Sequence, residues 1–204
     1  MNKKHTLIIC HFILFACLMG CSEPEITEIV YSEIDTSEDP VQFKLGGESD
    51  KITKIIKNGK IDIEPAATYK VAGKVANKRR YYDWVGEYTP IFDIVLIWGK
   101  LADPDNDKFF SYDQFGFTYK SEGPLDNSYV NNHLGRYYVY PATENIQKAI
   151  SIIEEKETVL LEGFLINTKL TYQGEVSWVI GKLEPGSCKF FYVEKIRVGN
   201  KAYK

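Results

Sequence analysis

The sequence predicts a mainly β fold of the α+β type, and three observations support it. Several segments rich in β-branched and aromatic residues are bounded by turn residues. One stretch alone switches to the helical period, and β-forming segments resume after it.

Taken in order, "KITKIIKNGK" (Lys51 to Lys60) reads as a hairpin whose tight turn is Asn58-Gly59. Its lysines then form a solvated face. "YKVAGKVAN" (Tyr69 to Asn77) and "FDIVLIWGK" (Phe92 to Lys100) read as strands, and a shorter strand is expected near Gly116 to Lys120. In "PATENIQKAISIIEEK", Ile146, Ala149, Ile150 and Ile153 fall at i, i+3, i+4 and i+7, which is one face of a helix. Thr143 suits its N-cap, and Glu144 suits the positive end of the helix dipole. Strands resume at Thr158 to Asn167, Thr171 to Ile180 and Lys189 to Val198. Five or more strands with one helix between the third and fourth match a small OB-like β-barrel. Gly73 and Gly163 lie mid-strand, where barrel strands bend or bulge.

Ahead of this domain the chain changes character. Lys3 and Lys4 precede an uncharged run from Leu7 to Gly20. Spanning a bilayer core of about 30 Å takes roughly 20 apolar residues, so the run is too short to cross but fits the apolar region of a secretory signal. Leu18-Met19-Gly20-Cys21 resembles the lipobox of bacterial lipoproteins. The resemblance implies cleavage before Cys21 and acylation of that cysteine, and so makes it a membrane anchor. Residues 1–20 are then the signal, 21–40 an acidic tether, and 41–204 a single β-rich domain. The tether holds Glu23, Glu25, Glu28, Glu33, Asp35, Glu38 and Asp39 with no lysine or arginine. Such a one-sign segment is expected to repel itself and extend. "CSEPE" is also similar to acidic signals that send lipoproteins to the surface of some Gram-negative bacteria, so an outer-membrane location is expected, periplasm-facing or surface-exposed.

The whole chain carries a formal charge of −3, the sum of −7 in the tether, +2 in the signal and +2 in the domain. A near-neutral domain argues against nucleic acid as a partner. Once the signal is removed and Cys21 acylated, Cys188 is the one remaining thiol, so no internal disulfide can form. Within an apolar segment Cys188 reads as a small buried hydrophobe.

Candidate sites are few. Asp103, Asp105 and Asp107 open like a calcium loop, but the glycine and the bidentate glutamate such a loop needs are replaced by Lys108 and Gln114. A solvated turn is the simpler reading. His133 is the one histidine after the signal, too few for a His-rich zinc site. It lies in "VNNHLGRYYVY", where Asn131, Asn132, His133 and Arg136 offer hydrogen bonds while Tyr129, Tyr137 and Tyr138 offer rings. Aromatic faces beside amide groups suit sugars or peptides. A loop histidine bonded to backbone or tyrosine is the plainer alternative. Trp84, Trp98, Trp178, Phe190 and Tyr192 read as core.

"WGKLAD" (Trp98 to Asp103), "DQFGFTY" (Asp113 to Tyr119), "NNHL" (Asn131 to Leu134), "LEGFL" (Leu161 to Leu165), Trp178 and "CKFFYV" (Cys188 to Val193) come in that order. They resemble the landmarks of an uncharacterised family of bacterial, often membrane-associated proteins. That resemblance implies a fold and assigns no catalytic residue.

No GxSxG, P-loop or dinucleotide fingerprint is present, and no cofactor is expected. The reading favoured is a non-catalytic envelope lipoprotein that binds a protein or glycan. An inhibitor or immunity-type lipoprotein, and a hydrolase acting through His133, are the alternatives.

Overall fold

The computed structural model describes residues 22–46, 50–56, 59–80, 92–113, 116–120, 122–179, 183 and 188–204. Cys21, Trp84, the hairpin turn at 57–58 and Gln114 lie outside the described residues. The fold is mainly β, dominated by one large sheet.

Strands are numbered in chain order: β1 (Glu28–Ile29), β2 (Val41–Lys44), β3 (Ile52–Ile56), β4 (Gly59–Arg80), β5 (Phe92–Ile97), β6 (Phe110–Asp113), β7 (Gly116–Tyr119), β8 (Leu134–Pro141), β9 (Thr158–Tyr172), β10 (Glu175–Val179), β11 (Lys189–Val198) and β12 (Lys201–Tyr203). The α-helices are α1 (Asn127–Asn132) and α2 (Glu144–Ile152). β4 pairs with β5, β5 with β8, β8 with β11, β11 with β9, and β9 with β4 again. Within that circuit β8–β11 is parallel and the other pairs are antiparallel. β6 and β7 form a separate hairpin.

Alternation on these strands turns one set of side chains inward. Ala67, Tyr69 and Val71 of β4, Phe92, Ile94 and Leu96 of β5, and Tyr137 and Val139 of β8 join Leu161, Leu165, Phe191 and Val193 in the main core. Helix α2 closes this core with Ile146, Ala149, Ile150 and the following Ile153, the four residues its sequence period picks out. Thr143 Oγ1 caps it by accepting from Ile146 N–H at 3.2 Å.

Three expectations about elements are corrected. β4 starts ten residues before Tyr69 and runs through Pro65. Proline cannot donate to a ladder, and the register shifts there, between Pro65 and Ala67. The strand expected over Phe92 to Lys100 stops at Ile97, because Gly99 turns at φ +60 into a 3-10 segment, Gly99–Ala102. Cys188 is exposed, not buried.

The largest difference concerns the acidic segment. Expected as an extended tether, residues 22–46 lie along the domain. β1 pairs with β12, and β2 pairs with β4. The buried Arg197 guanidinium donates to Ser32 O, and Gly99 N–H donates to Thr36 O at 2.7 Å. The segment is held by backbone bonds at Thr27, Val30 and Thr36 and by long-range side-chain contacts, Lys195 to Glu28 at 3.5 Å and Lys148 to Ser22 at 2.7 Å among them.

Every residue of β5 is buried. Its inner face enters the main core, and its outer face, Val95 and Ile97, is covered by Leu101, Phe110 and Val130 from the long excursion between β5 and β8. That excursion starts and ends at one point, where Trp98 N–H donates to His133 O at 3.1 Å.

Candidate functional site

A cleft of about 620 Å³ opens at that point, between the start of β8, the start of β11, the end of β5 and the acidic segment. Asp39, Tyr69, Trp98, His133, Tyr137 and Lys189 line it, with Asn132 at the rim.

His133 is the C-cap of α1, and its ring is fixed on three sides. Nδ1 lies 2.8 Å from Tyr129 O. A carbonyl oxygen only accepts, so Nδ1 carries the hydrogen and Nε2 of the neutral ring is left as an acceptor. The Tyr129 ring stacks on the imidazole at 3.7 Å and 12°, and Tyr129 Oη accepts from Lys100 N–H at 2.8 Å. Gly99 packs against both: a Cβ there would stand 2.6 Å from Tyr129 Oη and 2.8 Å from His133 Cδ2. Only glycine fits that space at this positive φ.

Nε2 faces Asp39 Oδ1 at 3.9 Å, and the same carboxylate oxygen accepts from Trp98 Nε1 at 3.0 Å. Two acceptors at that spacing leave room for a donor, such as a ligand hydroxyl, near both. Deeper in, the Tyr69 and Tyr137 hydroxyls share a hydrogen bond of 3.0 Å. Burial pushes Tyr69 up to about 12 and Tyr137 well above the ordinary tyrosine value, so both stay neutral hydroxyls. Lys189 is buried beside them, its ammonium 5.9 Å from the Tyr69 ring centroid.

The structure thus brings together three of the sequence-predicted residues, Asn132, His133 and Tyr137. Tyr129 sits behind His133 and orients it. Asn131 is exposed on α1 and does not line the cleft. Arg136 and Tyr138 belong to the other face of β8, because successive strand residues alternate. Arg136 Nε donates to the buried Asp93 at 2.9 Å, where Arg79 Nη2 also donates at 3.0 Å. Tyr138 tilts against Phe190, ring centroids 5.1 Å apart. Sequence reasoning missed Asp39, Tyr69 and Lys189 as lining residues, and took Trp98 for core alone. Trp98 is buried, yet its indole N–H serves the cleft. The ordered landmarks did carry a signal, since "WGKLAD", "NNHL" and "CKFFYV" each contribute a lining residue.

The aspartates that open like a calcium loop do not converge. Asp107 Oδ1 accepts from the buried Lys74 ammonium at 2.6 Å, which pins the excursion to β4. Among the described residues no group of three His, Cys, Asp or Glu side chains could hold a metal ion, and no helix is long and apolar enough to cross a membrane. No family model matches the chain, and no curated protein or solved structure matches it either.

Proposed function

We propose that this chain is an envelope lipoprotein of a Gram-negative outer membrane, anchored through acylated Cys21, whose OB-like barrel binds a glycan without chemical turnover. The barrel reading is supported by the circuit of pairings. Numbering β4, β5, β8, β9 and β11 as first to fifth gives the order 1-2-3-5-4-1, with only the third and fifth parallel and α2 between third and fourth.

The cleft carries the binding reading. It offers two acceptors facing each other, His133 Nε2 and Asp39 Oδ1, in a cleft lined by the largely buried aromatic side chains Trp98, Tyr69 and Tyr137. A polyol can place a hydroxyl between the two acceptors and an apolar ring face against the aromatic lining, which is why a glycan is favoured over a peptide. No serine or cysteine is among the described residues lining the cleft, so hydrolysis through His133 has less support.

Calorimetry against a panel of envelope-type oligosaccharides tests the reading. His133→Ala and Asp39→Ala should each weaken binding by about tenfold or more, roughly 1.4 kcal/mol. Arg136→Ala, on the opposite face of β8, should leave it unchanged. Absence of any glycan ligand, or equal effects from all three variants, rules the reading out. Labelling with a palmitate analogue in wild type and Cys21→Ser tests the anchor separately.

A further inference from the structure

We infer that the acidic segment behind Cys21 seats the α2 end of the domain directly on the bilayer and points the cleft away from it. This rests on the anchor proposed above and goes beyond it.

Ser22 is the first described residue, and its hydroxyl accepts a 2.7 Å hydrogen bond from the Lys148 ammonium on α2. Glu25 N–H donates to Asn145 Oδ1 at 2.6 Å, and Asn145 Nδ2 donates to Glu25 O and to Lys204 O, each at 2.9 Å. Thr27 and Val30 then donate to Ala202 O and Asn200 O, so the chain is part of the sheet by β1. A lipid on Cys21 therefore hangs one peptide unit, about 3.8 Å between Cα atoms, from a residue bonded to α2. A free coil from Ser22 to Pro40 would instead span about 25 Å. The two arrangements place the domain at measurably different heights.

Orientation follows from β8. This strand begins at Leu134, next to His133, and ends at Pro141, two residues before the N-cap of α2. Its eight residues rise about 23 Å. Cleft and α2 thus occupy opposite ends of one strand. The cation that meets Ser22, Lys148, is itself paired with Glu144 at 2.9 Å, so the contact carries no unbalanced positive charge toward the lipid. Acyl chains rather than surface charge hold this seat, so it forms on neutral lipid.

The test uses the mature lipidated protein in phosphatidylcholine vesicles carrying an acceptor-labelled lipid. With Cys188→Ser as background, a donor dye is placed at Ile152→Cys on α2 or at Asn131→Cys beside the cleft. With barrel strands tilted by about 40°, the 23 Å of β8 amounts to about 18 Å of height between the two ends, which predicts about twofold stronger energy transfer from position 152. Inserting twenty Gly and Ser residues between Cys21 and Ser22 restores a free tether of about 25 Å and should abolish the difference. Equal transfer without the insertion, or stronger transfer from 131, overturns the seating. Mass spectrometry on the same preparation separates the two ideas. Acyl chains present with equal transfer defeats the seating alone, whereas an unmodified Cys21 with no vesicle binding defeats the lipoprotein reading and the seating with it.

Discussion

Tyr69 and Tyr137 show how burial converts an ordinary side chain into a pH-sensitive one. Both hydroxyls lie in the core and satisfy each other. Removing one leaves its partner buried without that bond, so Tyr137→Phe should cost about 1–2 kcal/mol in urea unfolding. Their ionisation makes the larger effect. Below pH 10 folded and unfolded chains both hold the tyrosine protons. Above it the unfolded chain releases them, while the folded chain keeps that of Tyr69 until about 12. Stability therefore falls as pH rises across this window, by roughly 3 kcal/mol for Tyr69 alone. Comparing unfolding at pH 8 and 11 checks this, since about half of that loss, roughly 1.4 kcal/mol for Tyr69, should have appeared by pH 11. The Tyr69→Phe/Tyr137→Phe double variant should lose much less between them, and an equal loss would refute the assignment. Gly163 is constrained by contact rather than charge. A Cβ there would sit 2.1 Å from Tyr192 O, backbone that cannot swing aside, where β9 pairs with β4 and β11 at once. Gly163→Ala should cost about 2–3 kcal/mol, and an unchanged midpoint would contradict the close approach.

Helix α2 was the most legible element because one local signal fixed it. Four apolar residues at helical spacing and a capping threonine are all within one short stretch. Its far end was not legible. The Lys78 ammonium donates to the carbonyls of Ile150, Ser151 and Ile153, closing the helix from β4. Burial also lowers the pKa of Lys78. Lys78→Met should therefore cost about 2 kcal/mol, through lost charge-assisted bonds, against about 1 kcal/mol for Thr143→Ala. Helical circular dichroism with urea would check the order, and a larger loss from Thr143→Ala would reverse the argument. Among the strands, β11 was found at its full length because its apolar run is bounded on both sides. β4 extends beyond its Tyr69–Asn77 signal because Pro65, which interrupts a strand pattern locally, sits at a register shift in three dimensions. The candidate site was half legible. Tyr137 and Tyr138 are adjacent in sequence and were grouped, but strand alternation sends them to opposite faces. Asp39, Tyr69 and Lys189 come from segments far apart in the chain, and only the pairing of β2 with β4 and of β8 with β11 gathers them.

At the scale of the whole molecule, composition misled where topology decides. Seven acids without a base describe a self-repelling tether only if the segment meets nothing else. Here it meets Arg197, Lys195, Lys148 and the Trp98 indole, partners removed by 59 to 167 positions in sequence. No local pattern encodes such contacts. The segment behaves as a strap over one side of the sheet, and it also supplies Asp39 to the cleft, so stability and binding should respond together. Deleting residues 22–40 from the mature chain removes the bonds at Ala202, Asn200, Ser32, Thr36 and Asp39. At about 1 kcal/mol each, the loss should reach about 3–5 kcal/mol in urea unfolding, with glycan binding weakened as in Asp39→Ala. A solvated tether would give a different result: an unchanged midpoint and intact binding after the same deletion. That result would mean the contacts of residues 22–40 contribute nothing, and the seat at α2 would lose its basis too.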